Sequence, residues 1–276
     1  MTPTIDPATL RPGDVLLMKG IGAVSDLIAW FGDSTYSHAA IVVDGGALVE
    51  AAAPVSRRVA IADRLAQGQY YDFIDAFRPT RGDGRPLEAV DRAAIAASAM
   101  NLLSVPYPLD ALVQMALFAA IRNRIPADPT VRFILRELTE LLTRDDPSHM
   151  VCSELVYRAL ADAKVLPAGN VRPTLVVSAP LDLPFPRIDP AELIREWEEA
   201  RRRRPLLAAL PASLADGAVT TPLDDAFEAL RAHALVPTGD FVIRPIPDPN
   251  PRNVLPVDLE TSPQLRRLGR LPLSAS

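Results

Sequence analysis

The sequence is poor in the residues that build disulfides and metal centres. Its 276 residues include one cysteine, Cys152, and three histidines, His38, His149 and His233. One thiol cannot form an intramolecular disulfide, which excludes a disulfide-stapled scaffold and any zinc or iron–sulfur site built from several cysteines. Three dispersed histidines do not make a histidine-rich metal site, and no metal or other cofactor is expected. A basic surplus is missing as well: 34 acidic residues stand against 29 basic ones, for a formal net charge of −5. A protein that holds nucleic acid through a global positive field shows the opposite balance, so no nucleic-acid partner is expected.

Long apolar runs are also absent. The most apolar stretch, Leu109–Ile121, carries Asp110 and Gln114 and falls short of the ~20 residues that cross a bilayer. It reads as a helix rather than a membrane span, with peripheral membrane contact left open. The start, MTPTIDPATL, lacks the basic-then-apolar pattern of a secretory signal. The expectation is a cytoplasmic protein, although export without a cleavable signal leaves no mark in a sequence. What is present is a hydrophobic share of 49% with 23% charged residues, the balance of a soluble globular chain. Proline is abundant, at 28 residues.

Pro12-Gly-Asp-Val-Leu-Leu-Met-Lys19 reads as a turn feeding a short apolar strand, followed by a helix over Ala23–Phe31. His38–Val43 and Ala47–Ala51 are apolar runs around Asp44-Gly45-Gly46, the pattern of a β-hairpin. Further strands are expected at Arg57–Ile61 and Tyr71–Arg78. A helix is expected from Pro86 to about Leu103, with Leu87, Val90, Ala94 and Ile95 near a helical period. Two more follow at 109–123 and 130–142. Asp146 or Ser148 is placed to cap a helix through Ala163, whose buried face would be Leu155, Val156, Ala159 and Leu160. Composition shifts beyond about Phe185. Glu192–Arg204 reads as a charged helix with i,i+4 pairs, its Arg201–Arg204 run being either a solvated face or a binding patch, and Phe241–Arg244 reads as a short strand. The expected division is residues 1–185 as one α+β domain with a helical insertion at 109–143, and 186–276 as a proline-rich C-terminal extension.

Cys152 falls in the first turn of its predicted helix, where open backbone N–H groups and the helix dipole favour an anion. A thiol there is suited to act as a thiolate nucleophile. A small buried hydrophobe is the other reading of a free cysteine. A nucleophile needs a base. With a three-residue loop, Val43 pairs with Ala47 and Ala40 with Glu50, which puts His38 on Glu50's face as a diagonal neighbour, ~7–8 Å away at Cα. Glu50 would then orient the imidazole while His38 takes the thiol proton. A two-residue loop would place the pair on opposite faces. His149, three residues before Cys152, is a competing base, and His233 is expected to stand apart from the site.

These segments carry a resemblance. Pro12-Gly-Asp-Val-Leu-Leu17, Tyr36-Ser-His-Ala-Ala-Ile-Val-Val43, Val49-Glu-Ala51 and Val151-Cys-Ser-Glu-Leu-Val156 resemble the motif series of the circularly permuted, papain-like branch of the NlpC superfamily. The likeness is to YiiX-like amidases and, more distantly, to lecithin:retinol acyltransferase-like enzymes. It covers about residues 10–180, and the histidine hairpin precedes the cysteine helix as in that branch. The resemblance implies a small antiparallel sheet or half-barrel packed against helices. It implies Cys152 as nucleophile, His38 as base and Glu50 as orienting group, with the Cys152 N–H as an oxyanion-hole donor. It also implies Tyr107, Tyr36 and Ser37 as substrate-binding residues. Tyr107 follows Ser104, where family members often carry glycine. Asp14 belongs to the Gly-Asp turn and is expected to cap it through its own side chain.

The expected activity is a thiol hydrolase that cleaves a peptide or amino-acyl amide through an acyl-enzyme. Two alternatives stand beside it: a lipid acyltransferase, thioesterase or phospholipase using the same three residues, with 109–121 roofing an acyl pocket, and a catalytically silent binding module. The partner is a small peptide, amino-acyl or lipid-linked substrate. Oligomeric state is not legible.

Overall fold

The structure is a computed structural model, and it describes residues 2–31, 34–107, 150–176 and 254–274 together with Pro186, Arg195, Pro249 and Pro251. The helices expected at 109–123, 130–142 and, apart from Arg195, 192–204, the strand at 241–244, and His149 and His233 lie outside the described residues.

Six strands form one sheet: β1 (Val15–Gly20), β2 (His38–Asp44), β3 (Ala47–Glu50), β4 (Arg57–Ala60), β5 (Tyr71–Pro79) and β6 (Leu265–Leu271). Their order is β4-β3-β2-β1-β5-β6 and every neighbouring pair is antiparallel. Helix α1 (Ala23–Phe31) links β1 to β2, the short α2 (Ile61–Leu65) links β4 to β5, and α3 (Ala89–Met100), α4 (Cys152–Ala161) and α5 (Pro256–Thr261) follow. The result is a mixed α+β fold in which an antiparallel sheet packs against helices.

Both faces of the central strands are covered, which explains why β1 and β2 read as unbroken apolar runs instead of alternating ones. On one face Val15, Leu17, Ile41 and Val49 pack with Ile95 and Ala99 of α3 and with Leu155, Val156, Ala159 and Leu160 of α4. Leu16, Met18, Ala40, Val42 and Leu48 point the other way, where Leu10, Ile61 and Leu271 cover them. The α4 stripe is the one that helical periodicity predicts, and all four of its residues are fully buried.

The turn before β1 shows why its residues are Gly and Asp. Gly13 has φ +88°, which favours glycine, and its N–H donates to the Val42 carbonyl at 2.8 Å. The Asp14 carboxylate is fully buried. It accepts from the Arg11 N–H at 2.9 Å, closing the turn through its own side chain, and also from Arg78 Nε at 2.9 Å.

Several expectations are corrected. Helix α3 begins at Ala89 rather than Pro86, because the Asp91 carboxylate accepts the Glu88 N–H at 2.9 Å and sets the helix start, while Pro86 bridges back to Thr80. Val90, expected on the buried stripe, is 67% exposed. Helix α4 starts at Cys152 with Val151 in the N-cap position and no side-chain cap there; Asp146 and Ser148, expected to cap it, lie outside the described residues. Strand β4 stops at Ala60, and Ile61 opens α2. The hairpin loop is Gly45-Gly46, since Asp44 pairs with Ala47, and a bulge at Val43 follows before Val42 pairs with Leu48.

The C-terminal stretch contributes α5 and β6, neither anticipated from sequence. Strand β6 extends the sheet beyond β5, held by Arg267 and by Arg270, whose Nε lies 2.8 Å from the buried Asp75 carboxylate; Arg270 also stacks 3.9 Å above the Phe73 ring. Near the start of α4, the Ser153 hydroxyl donates to the Val254 carbonyl at 2.7 Å, tying this stretch to the cysteine helix.

Candidate active site

The cysteine helix and the hairpin meet at one end of the sheet. Cys152 is the first residue of α4, follows an extended Val151 and is 3% exposed. Its backbone N–H carries no hydrogen-bond partner among the described residues. His38, the first residue of β2, has the Cys152 thiol and the Glu50 carboxylate as neighbours, and both favour its protonated form. His38 Nε2 lies 3.1 Å from Glu50 Oε2, so Nδ1 is the ring nitrogen that Glu50 does not engage. Burial alone would lower the imidazole's pKa, but the contacts with Cys152 and Glu50 prevail and hold it well above the ordinary value.

The register accounts for the pairing. Ala40 sits opposite Glu50, and His38 lies two residues further along β2 on the same face. This is the juxtaposition expected from sequence, although a two-residue loop plus a bulge produces it instead of a three-residue loop.

Glu50 is fully buried and has more partners than the hairpin predicts. Arg57, directly opposite it on β4, donates Nε to Oε1 at 3.0 Å. Arg64 of α2 donates Nε to Oε2 at 3.0 Å and Nη2 to Oε1. Burial would raise the Glu50 carboxyl, yet bonds from His38 and Arg64 hold it far below the usual carboxylate range. Sequence reasoning missed both arginines. Arg57 was within reach of it, because the β3–β4 register places it across from Glu50. Arg64 was not, since five residues of helix carry too little period to be recognised.

A cleft of about 830 Å3 opens beside these groups. His38, Glu50, Arg57, Arg64, Ser37 and Tyr107 contribute to its wall. Ile21 and Tyr70, 51% and 48% exposed, give the same cleft an apolar edge. Cys152 is not among the residues that line it. Tyr107 is buried. Its hydroxyl is pushed well above the ordinary phenol value by burial and by the nearby Cys152 and Glu50, so it stays protonated and able to donate. Ser37 lines the cleft too, but its hydroxyl already accepts the Gly20 N–H at 2.9 Å. Tyr36, expected to bind substrate, is not brought to the cleft. Its ring packs edge-on against Phe73 and Phe77, and its hydroxyl donates to Asp75 at 2.9 Å, which makes it a core residue.

Among the described residues, no group of three or more His, Cys, Asp and Glu side chains is placed to hold a metal ion, and no helix is long and apolar enough to cross a membrane. No family model matches the chain, and no curated protein matches it. A solved structure that the chain is similar to is metalloprotein YiiX from Escherichia coli O157:H7, at 14% identity and a TM-score of 0.45, over 94% of this chain and 97% of that one.

Proposed function

We propose that this protein is a cysteine-dependent hydrolase of the permuted papain-like kind, which cleaves a peptide or amino-acyl amide through a Cys152 acyl-enzyme. The observation that carries the reading is the His38 ring, hydrogen-bonded through Nε2 to a buried carboxylate and close enough to the Cys152 thiol for the two to interact. That is the nucleophile–base–orienter arrangement of acyl-transfer enzymes.

In this reading His38 holds the proton of Cys152, and Sγ attacks the carbonyl carbon, forming a C–S bond while the carbonyl oxygen becomes an oxyanion. The Cys152 N–H at the start of α4, without a hydrogen-bond partner among the described residues, is suited to bind that oxygen. Imidazolium then gives its proton to the departing amine as the C–N bond breaks. Water, deprotonated by His38, attacks the thioester and releases the carboxylic acid and the thiol. Because Sγ is covered in the resting structure, the carbonyl must enter past the His38–Tyr107 wall. Tyr107 lines that path with a hydroxyl that stays protonated, which supports its assignment to substrate binding.

The same chemistry serves an ester or thioester, and the apolar edge at Ile21 and Tyr70 favours lipid-linked acyl groups as the second reading. Mass spectrometry of the trapped acyl-enzyme separates the two: an aminoacyl or peptidyl adduct supports amide cleavage and a fatty-acyl adduct supports lipid chemistry. Full turnover by Cys152→Ala on every substrate of the wild type would remove the proposal.

A further inference from the structure

Arg64 has no part in the three-residue scheme, yet it makes more contacts with Glu50 than His38 does. Its side chain is 8% exposed and its Nε and Nη2 grip both carboxylate oxygens, while Nη1 donates to Gln67 Oε1 at 2.6 Å and so fixes the plane of the guanidinium. Arg57 offers only Nε to Glu50, and its side chain is 42% exposed. His38 and Arg64 meet on the same oxygen, Oε2, at 3.1 and 3.0 Å. With Arg57 and Arg64 also on Oε1, the carboxylate's acceptor sites are filled by donors from three elements.

A carboxylate buried this completely, with imidazole as its one partner, is poorly solvated and competes with the ring for a proton. If the proton moved to Glu50, His38 would have none to give the leaving amine. We propose that Arg64 is a positioning residue of this site: its two-pronged grip keeps Glu50 a carboxylate aimed at His38, so that the proton taken from Cys152 rests on the ring and not on the acid. The inference rests on the reading of Cys152, His38 and Glu50 as a catalytic set. The charged and titratable groups facing Glu50 are His38 from β2, Arg57 from β4, Arg64 from α2 and Tyr107 from the segment after α3, with Cys152 of α4 near His38 and Tyr107, and Asp63 and Tyr71 near Arg64. Removing Arg64 takes a positive charge away from the thiolate and lets Glu50 protonate in mild acid. Both changes let the Cys152–His38–Glu50 cluster take up its next proton, on the thiol or on the acid, at a higher pH, so they act in one direction on the labelling profile.

The test is the rate of iodoacetamide labelling of the full-length chain from pH 4 to 9, read by mass spectrometry. Because the chain has one cysteine, every adduct reports Cys152. Arg64→Met is expected to move the acid side of the profile up by about one pH unit, roughly tenfold slower labelling at a given pH on that side. Arg57→Met should move it by about a third as much or less, because its charge is screened by solvent. Arg64→Lys, which keeps the charge and loses the fork, should fall between Arg64→Met and wild type. A folded Arg64→Met whose profile overlays the wild type overturns the proposal. Wild type that labels like an ordinary free thiol overturns the catalytic reading instead, so the two failures are distinct. Where Arg64→Met does not fold, the 13C shift of the Glu50 carboxyl in the wild type decides. It is expected to stay at the carboxylate position from pH 4 to 8, and a titration within that range overturns the proposal.

Discussion

Replacing Glu50 by Gln removes one charge from the most densely paired point of the structure while keeping nearly the same shape. Glu50 is fully buried and faces Arg64, 8% exposed, as well as His38, 14% exposed. The substitution strands the buried guanidinium, and breaking a buried pair by deleting one partner costs about 3–5 kcal/mol. Arg57 adds little to this because water already screens it. The pH dependence carries more information than the size. Glu50 is depressed in the folded state, so its contribution is present above the unfolded carboxylate value of about 4.3 and is lost as pH falls through the lower folded value, at up to about 1.4 kcal/mol per pH unit. His38 is raised in the folded state, so the part of its stabilisation owed to Glu50 is fully present below the unfolded value of about 6.5 and is lost as pH rises through the folded one. The stability gap between wild type and Glu50→Gln should therefore be widest between about pH 4.3 and 6.5 and shrink on both sides. Urea denaturation at a series of pH values measures it, and the same pair in a Cys152→Ala background isolates Glu50's share from that of the thiol. A gap that stays flat from pH 3 to 9 would refute the coupling of the carboxylate to the imidazole.

Four other outcomes follow from the same geometry. His38→Gln should abolish turnover and slow iodoacetamide labelling of Cys152 at pH 6 to that of a thiol without a partner, since the ring is the neighbouring base in the proposed mechanism. Leu155→Ala, which empties a fully buried position between α4 and the sheet, should cost about 2–5 kcal/mol in urea denaturation. Asp75→Asn should speed hydrogen exchange across the β5–β6 ladder, because that carboxylate holds Arg267, Arg270 and the Tyr36 hydroxyl together. Gly269→Ala should release the N-terminal segment to proteolysis: the residue has φ +156° and a Cβ there would stand 2.4 Å from the Pro3 carbonyl oxygen, against which the Arg270 N–H now bonds.

The elements that were legible in the sequence are those whose signal is local. Strands β1, β2 and β5 announce themselves by apolar runs ending at Gly or Pro, and α4 by a stripe that the fold buries completely. Strand β6 does not, because Leu265-Arg-Arg-Leu-Gly-Arg-Leu271 reads as a solvated arginine segment until Asp75 is known to lie across from it. A charge that neutralises a partner some 190 residues away leaves no pattern in either neighbourhood. The start of α3 was misplaced for a related reason: Asp91 is committed both to the Glu88 N–H and to Arg81, at 2.8 Å from each of two guanidinium nitrogens, and that second tie selects the cap over the proline. At the candidate site, the residues read from motif and strand parity were Cys152, His38 and Glu50. The arginines that balance Glu50 come from β4 and α2, where short elements carry no period of their own.

The hairpin shows how a site can be specified by features that compensate. In an unbroken ladder, a two-residue Gly45-Gly46 loop would pair Ile41 with Glu50, turning the carboxylate toward α4 on the face that holds Ile41 and Val49, away from His38. The bulge at Val43 inserts one residue into β2 and reverses that parity, so that Ala40 pairs with Glu50 and His38 shares its side. Asp44 holds the device in place: its Oδ1 accepts the Gly46 N–H at 2.8 Å and its Oδ2 accepts from Arg58 at 2.6 Å, which makes it the last rung of the ladder and not part of the loop. Counting Asp44 as loop and Val43 as ladder makes two opposite errors that cancel, so the parity of His38 and Glu50 comes out right for a reason the sequence alone does not contain. The orientation of the carboxylate toward the imidazole therefore depends on this one-residue bulge as much as on the identity of either side chain.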